Sequence, residues 1–492
     1  MTRWRRTAGG FAASLAAAAL ALSLAGCTVN PATGRSSFTG FMSEGEETRV
    51  GAENHPKVLE EFGGAAGGPE LAAYVSSIGK LLASTSERPD VPFTFTVLNS
   101  PIVNAFAIPG GYIYVTRGLL ALANDEAELA GVMAHEIGHI TARHSAQRYS
   151  QSVLAQLGLI GLGVVTGSSA LVNLAGAGAA VYLQSYSRDQ EFEADTLGVR
   201  YLGRTNYDPK AMSAFLASLL ADSRFEATLA GNPAEADQYN IMATHPRTID
   251  RVERAIAAAN QAPVTEPILG RDIYLDKIDG LLYGDDPAQG LIKGRRFAHP
   301  ALKLEFTVPE GYRLRNSAKA VLAEGPQDAQ ITFDAAPSSY GGDMASYLAN
   351  VWAAKIRLDG VQPITIDGMA AATATAAVDT RQGRAFVRLY AIRFATGGIY
   401  RFLCVGPIGA AESFDQGFRS TAASFRRLSD AEARALRPMR IRVVTVRGND
   451  TVASLARAMP FEDHREERFR VLNGLGPNDA LTPGQRVKLI VE

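Results

Sequence analysis

Hydrophobic and polar positions follow one rhythm in the first half of this chain and another in the second. Ser43 with Glu46 three residues on makes a capping-box pattern, which predicts an acidic helix continuing past Arg49. After a glycine-rich break at residues 63–68, residues 71–82 predict a second amphipathic helix. Residues 93–98 alternate like a strand, with Phe93, Phe95 and Val97 on one face, and residues 104–116 read as a strand pair turned by Pro109-Gly110-Gly111. A long helix follows from residue 124 to about residue 148. Asn124 and Asp125 can cap it, Glu126 and Glu128 suit its positive end, and Leu129, Val132, Met133 and Ile140 supply apolar stripes. Helical spacing resumes through residue 220 and again over residues 247–258, until Ala262-Pro263 and Pro267 break it.

From residue 297 the period is two. Residues 302–308, 321–324, 331–335, 372–378, 385–394 and 399–405 predict strands, with helices over 343–357 and 413–425. This is an α+β unit without an acid/base constellation, expected to position the rest of the protein or to bind a partner. His299, with no second ligand spaced near it, reads as structural. Residues 441–492 read strand, helix, helix, strand.

Two stretches invite a membrane reading. Met1-Thr2-Arg3-Trp4-Arg5-Arg6 precedes an uncharged, mostly apolar run over residues 7–26, which predicts a secretion signal. Between Arg148 and Arg188 there is no charged residue, and two apolar helices in a hairpin are expected, packed on the core or leaning on lipid. The 492 residues are 47% hydrophobic with a net charge of -1, so there is ample core and no basic signature for nucleic acid. Of the 2 cysteines, Cys404 lies in an apolar run and reads as core, so no intrachain disulfide is expected if Cys27 is modified.

The chemistry sits in the helix over residues 124–148, which carries His135-Glu136-x-x-His139. At about 100° per residue the two histidines stand about 40° apart on one face, so both imidazoles can reach a single tetrahedral metal. Glu136 points about 100° away from His135, where its carboxylate can take a proton from a water at that metal without becoming a ligand. His144, nine residues from His135, is about half a turn out of phase and reads as a surface residue. A third ligand is expected from Arg188-Asp189-Gln190-Glu191-Phe192-Glu193-Ala194-Asp195. Glu191 with Asp195, or Asp189 with Glu193 on the opposite face, could each supply a ligand and an orienting carboxylate; spacing alone leaves both pairs open. The two motifs must share one metal, which excludes a single membrane crossing between them.

These motifs, together with Asn104-Ala105-Phe106-Ala107-Ile108-Pro109-Gly110-Gly111 upstream and Thr244-His245-Pro246 downstream, resemble the M48 family of zinc endopeptidases over roughly residues 30–258. The resemblance implies a mainly helical gluzincin-type domain with a small edge sheet and one Zn2+ per chain, held by His135, His139 and Glu191. It further implies that Asp195 orients a ligand and Glu136 is the base. His245 would lie near the metal, steadying an oxyanion or filling the open position. Asn104, Ala105, Phe106 and Ala107 would be the strand to which an extended substrate adds. Leu24-Ala25-Gly26-Cys27 resembles the lipobox of bacterial lipoproteins, implying lipid on Cys27 and the periplasmic face of the outer membrane. Residues 441–492 resemble a LysM module, which implies peptidoglycan as a partner, although the charged stretch over 462–468 is longer than that pattern has.

The expected organisation is thus α+β multidomain: signal peptide 1–27, zinc peptidase 28–263, connector 264–296, α+β domain 297–430 and LysM-like βααβ module 441–492. The expected function is an envelope-anchored endopeptidase for misfolded or stalled envelope proteins. The alternatives are an assembly scaffold whose metal site His245 closes, and a protein that is chiefly peptidoglycan-binding.

Overall fold

The computed structural model describes residues 27–153, 185–231, 249–261, 264–380, 383–394 and 397–492. The chain divides into two compact units, one drawn from Met1–Glu60, Gly64–Leu281 and Ile441–Val491, the other mainly from Leu282–Arg440.

The first unit is built around helix α4, Glu126–Thr141, following α1 (Glu44–Glu61), α2 (Gly68–Ser84) and α3 (Arg117–Leu122). Asp125 caps α4 by accepting from the Glu128 backbone N–H at 2.8 Å. Nearly every residue of α4 is buried, including Glu128, His135, Glu136 and His139. A helix without a solvated face is a core element, and its polar groups must find partners inside.

Helix α5, Arg188–Arg204, crosses close to α4 because glycines line the contact. A Cβ on Gly138 would stand 3.0 Å from the Ala194 carbonyl oxygen, and one on Gly198 would stand 3.1 Å from the His135 nitrogen. Helices α6 (Lys210–Leu229), α7 (Ile249–Gln261) and α8 (Arg271–Ile278) belong to the same unit.

A hairpin of β1 (Cys27–Val29) and β2 (Ser36–Phe38) opens the described chain. A three-stranded sheet lies beside α4 in the order β3 (Thr94–Leu98), β5 (Tyr112–Thr116), β4 (Ala105–Ile108). β3 runs parallel to β5, whereas β4 pairs antiparallel with it from Ala105↔Val115 to Ile108↔Tyr112. The turn between β4 and β5 places Gly110 and Gly111 at φ 84° and 91°, a region that side chains with a Cβ rarely enter.

Residues 441–491, expected as a separate module, belong to the first unit. They do run strand, helix, helix, strand: Met439–Thr445, Val452–Arg457, Arg465–Leu472 and Arg486–Val491. The last strand delivers Lys488, wholly buried, whose ammonium donates to the carbonyls of Ala121, Leu122 and Ala123 at 2.7, 3.1 and 2.7 Å. Those carbonyls are the unsatisfied C-terminal end of α3, so Lys488 serves as its cap. Arg486 adds ion pairs to Asp272 and Asp276 on α8.

The second unit holds a four-stranded sheet (Arg426–Arg427, Leu304–Thr307, Arg296–His299, Leu291–Lys293), the helix Ala411–Ala423 and a seven-stranded antiparallel sheet. The order of the seven strands is Arg313–Asn316, Ala320–Glu324, Gln330–Ala335, Ile399–Pro407, Gly383–Arg393, Met369–Thr380, Asp359–Ile366. The two outermost strands were not foreseen. One is only four residues long, and the other carries Pro363 and a register shift near Asp359, features tolerated at an edge. The helix expected over 343–357 is reduced to Met344–Tyr347 and a wider turn over Leu348–Trp352. Cys404 is a buried thiol in the core with Phe306, Phe333, Phe402 and Phe425, as expected. His299 is buried too, accepting from the Leu302 backbone N–H at 3.2 Å.

The apolar hairpin expected between Arg148 and Arg188 falls largely outside the described residues, as do the signal segment before Cys27 and His245. Among the described residues no helix is long and apolar enough to cross a membrane.

Candidate metal centre and active site

His135 and His139 lie one turn apart on α4 and turn their Nε2 atoms toward each other at 3.0 Å. Glu191, on the first turn of α5, brings its carboxylate oxygens to 3.6 Å from His135 Nε2 and 3.5 Å from His139 Nε2. One donor atom from each of the three residues falls within 4.8 Å of the others, and all three side chains are buried. Of the two carboxylate pairs open in the sequence, Glu191 and Asp195 face the histidines. The close glycine contact between α4 and α5 makes this possible, since it carries the first turn of α5 up to the imidazoles.

The donor set suits zinc. Two imidazoles and one carboxylate leave a fourth position free, and burial holds the His139 imidazole well below its usual pKa, in the neutral form a ligand needs. Asp195 supports the set from behind, with Oδ1 2.9 Å from His135 Nδ1. Burial alone would raise the Asp195 carboxyl, but Arg251 on α7 outweighs it and keeps the group ionised. The Arg251 guanidinium grips both Asp195 oxygens at 2.8 Å and reaches Glu191 Oε2 at 2.6 Å. Glu136, between the ligands in sequence, is wholly buried with them.

His144 is not at the surface. It is fully buried, its Nδ1 2.7 Å from His139 Nδ1. The phase argument assumed an unbroken helix, whereas α4 stops at Thr141 and helical structure restarts at residue 144. Arg143 sits between at φ 57°, held by its donation to the Met42 carbonyl at 2.7 Å and its ion pair to Glu47 at 3.2 Å. Tyr186 stacks on His139 with ring centroids 3.9 Å apart, and Arg148 lies over the Tyr186 ring at 4.2 Å.

A cleft of about 430 Å³ borders the cluster, walled by His139 and Ile140, by Glu47 and Thr48 of α1, and by Pro109 and Gly110 of the β4–β5 turn. Ala105, Phe106 and Ala107 lie in β4 at the edge of the sheet, and the Asn104 carbonyl just before them accepts from the Thr116 N–H at 3.0 Å. These β4 residues are at most 2% exposed, so pairing with a substrate there requires the edge to be uncovered.

Residues 69–259 match the model of peptidase family M48. Over that stretch, which holds the His135, His139 and Glu191 cluster, the chain is similar to M48 peptidases. Its curated relatives include the beta-barrel assembly-enhancing protease of Escherichia coli (strain K12), 29% identical over 310 residues, or 58% of this chain and 62% of the relative. The protein of the same name from Yersinia pestis is 32% identical over 44% of this chain and 45% of its own length. The mitochondrial metalloendopeptidase OMA1 of Arabidopsis thaliana is 36% identical over 27% of this chain and 26% of its own. The matched region thus spans less than two thirds of each relative's length.

Sequence reasoning missed three residues of this centre: His144, which it placed at the surface, Tyr186 and Arg251. Arg251 carries no local signal, since Arg247 and Arg254 flank it on the same predicted helix. His144 depends on a helix break made without glycine or proline, which no composition rule reports.

Proposed function

We propose that this chain is a zinc-dependent endopeptidase of a bacterial envelope, with His135, His139 and Glu191 holding one zinc ion and Glu136 as general base. The observation that carries the reading is the convergence of the two imidazoles and the Glu191 carboxylate within 4.8 Å, from helices distant in sequence, with Glu136 wholly buried beside His135 on the same helix. A purely structural site has no need of that carboxylate. Zinc held by these side chains supplies Lewis acidity toward a scissile carbonyl and makes an attacking water more acidic. Glu136 takes the proton from that water and returns it to the leaving amine. Asp195 fixes the His135 ring through Nδ1, and Arg251 keeps the Asp195 and Glu191 carboxylates together. His245 takes the role that the family resemblance implies, steadying the oxyanion or filling the fourth position. Increased turnover in His245→Ala assigns it to gating, and lost turnover to catalysis.

The substrate class is unfolded or stalled envelope protein, supported by relatives named for enhancing β-barrel assembly. Lipid on Cys27 would hold the enzyme at the periplasmic face of the outer membrane, and binding of peptidoglycan by residues 441–492 would add a second attachment. The deciding experiment compares casein cleavage and metal content for the soluble form from Thr28 onward with Glu136→Gln. Cleavage by the wild type, and about one zinc without cleavage in the variant, is the expected result. Zinc in both with cleavage by neither would replace the enzyme with a closed-site scaffold.

A further inference from the structure

A metal-bound imidazole ordinarily gives its second N–H to a carboxylate or carbonyl, which fixes the tautomer and the ring plane. His135 follows that rule through Asp195. His139 instead meets another imidazole, since its Nδ1 lies 2.7 Å from His144 Nδ1. With Nε2 of His139 turned to the metal cluster, its proton sits on Nδ1, and His144 must accept there with a bare nitrogen. The His144 proton is therefore on Nε2, which faces Glu193 Oε2 at 3.5 Å.

Glu193 is itself fixed. Its Oε1 accepts from Asn30 Nδ2 and from Thr33 Oγ1, each at 2.6 Å, and Arg35 approaches Oε2 at 3.6 Å. These three partners belong to the loop joining β1 to β2, a few residues beyond Cys27. These donors fix where the Glu193 carboxylate stands, so that its Oε2 is turned toward the His144 ring.

We propose that His144 is a positioning residue of the metal centre, fixing the tautomer and orientation of His139 on behalf of Glu193, with Asn30 and Thr33 holding that carboxylate in place. The inference rests on the zinc reading above. It makes the two histidine ligands unequal: one is supported directly by an acid, the other through an intervening ring that the N-terminal loop holds in register.

The test is zinc affinity of the full chain, measured by competition with a chelator, for wild type, His144→Ala, His144→Asn and His144→Gln. Far-UV circular dichroism and the unfolding midpoint of each metal-free form serve as controls. An asparagine amide oxygen can occupy the place of Nδ1, whereas a glutamine amide extends to the place of Nε2. The expected result is a loss of about 10- to 100-fold for His144→Ala and His144→Gln, with His144→Asn restored to within about threefold of wild type. Equal losses in the alanine and asparagine variants would make His144 a packing residue and overturn the proposal, as would wild-type affinity in His144→Ala. If the wild-type chain takes up no zinc, the peptidase reading fails first and the relay falls with it; if it takes up zinc and only the variant pattern departs, the relay alone is overturned.

Discussion

Arg251 is the sharpest place to perturb the centre, because three short contacts to two buried carboxylates end on one side chain. Replacing it with methionine keeps much of the volume and leaves Asp195 and Glu191 without their shared cation. Breaking a buried pair by removing one partner costs about 3–5 kcal/mol, since the remaining charge is uncompensated. The metal-free variant should therefore lose about that much stability at pH 8 in chemical denaturation of the unit containing α4. The loss should be smaller with zinc, whose charge would compensate the Glu191 carboxylate in place of the guanidinium. A pH signature follows from Asp195. With Arg251 present its carboxyl is held below the usual range; without it, burial drives the carboxyl upward. The native variant then binds more protons than its unfolded chain. Its stability deficit should shrink as pH falls from 8 toward 5, by up to about 1.4 kcal/mol per pH unit while the freed group titrates. A metal-free Arg251→Met protein within about 1 kcal/mol of wild type at pH 8, with no dependence on pH, would refute the claim that this guanidinium neutralises the buried acids.

Three further outcomes are expected. Gly138→Ala puts a Cβ 3.0 Å from the Ala194 carbonyl oxygen, and parting α4 from α5 should cost about 1–3 kcal/mol against about 1 kcal/mol gained in helix propensity. Zinc retained after dialysis should fall, and unchanged metal content would show that the close approach does not set the ligand geometry. Glu193 is pushed up by burial but held at about 2 by His144, Thr33 and Arg35, so it contributes stability above about pH 4.5 that is lost as pH falls toward 2; acid unfolding of Glu193→Gln should lack that component. Lys488→Met strips three carbonyls at the end of α3 of their donor, with an expected cost of about 2–4 kcal/mol and faster proteolysis within residues 441–491. Unaltered protease resistance would mean that apolar packing alone docks that segment.

By itself, the sequence determined what is encoded within a turn or two of chain. His135, Glu136 and His139 are legible because the spacing of one helix fixes their relative directions whatever surrounds it. The Asp125 cap, the β4–β5 turn at Gly110-Gly111 and the βααβ order near the C-terminus are local in the same sense. Glu191 and Asp195 were legible only as one of two pairs, until the glycine-lined crossing of α4 and α5 turned that face toward the imidazoles. Tertiary structure decided the remainder. The break at Arg143 is maintained by Met42 and Glu47, about a hundred residues earlier, and past it His144 is buried against His139. Arg251 joins the site from α7, and residues 441–491 lose their separateness because α3 ends in unpaired carbonyls that Lys488 satisfies. In each of these cases a buried polar group must find its partner across the fold, and that demand leaves no periodic trace in the chain that supplies the partner.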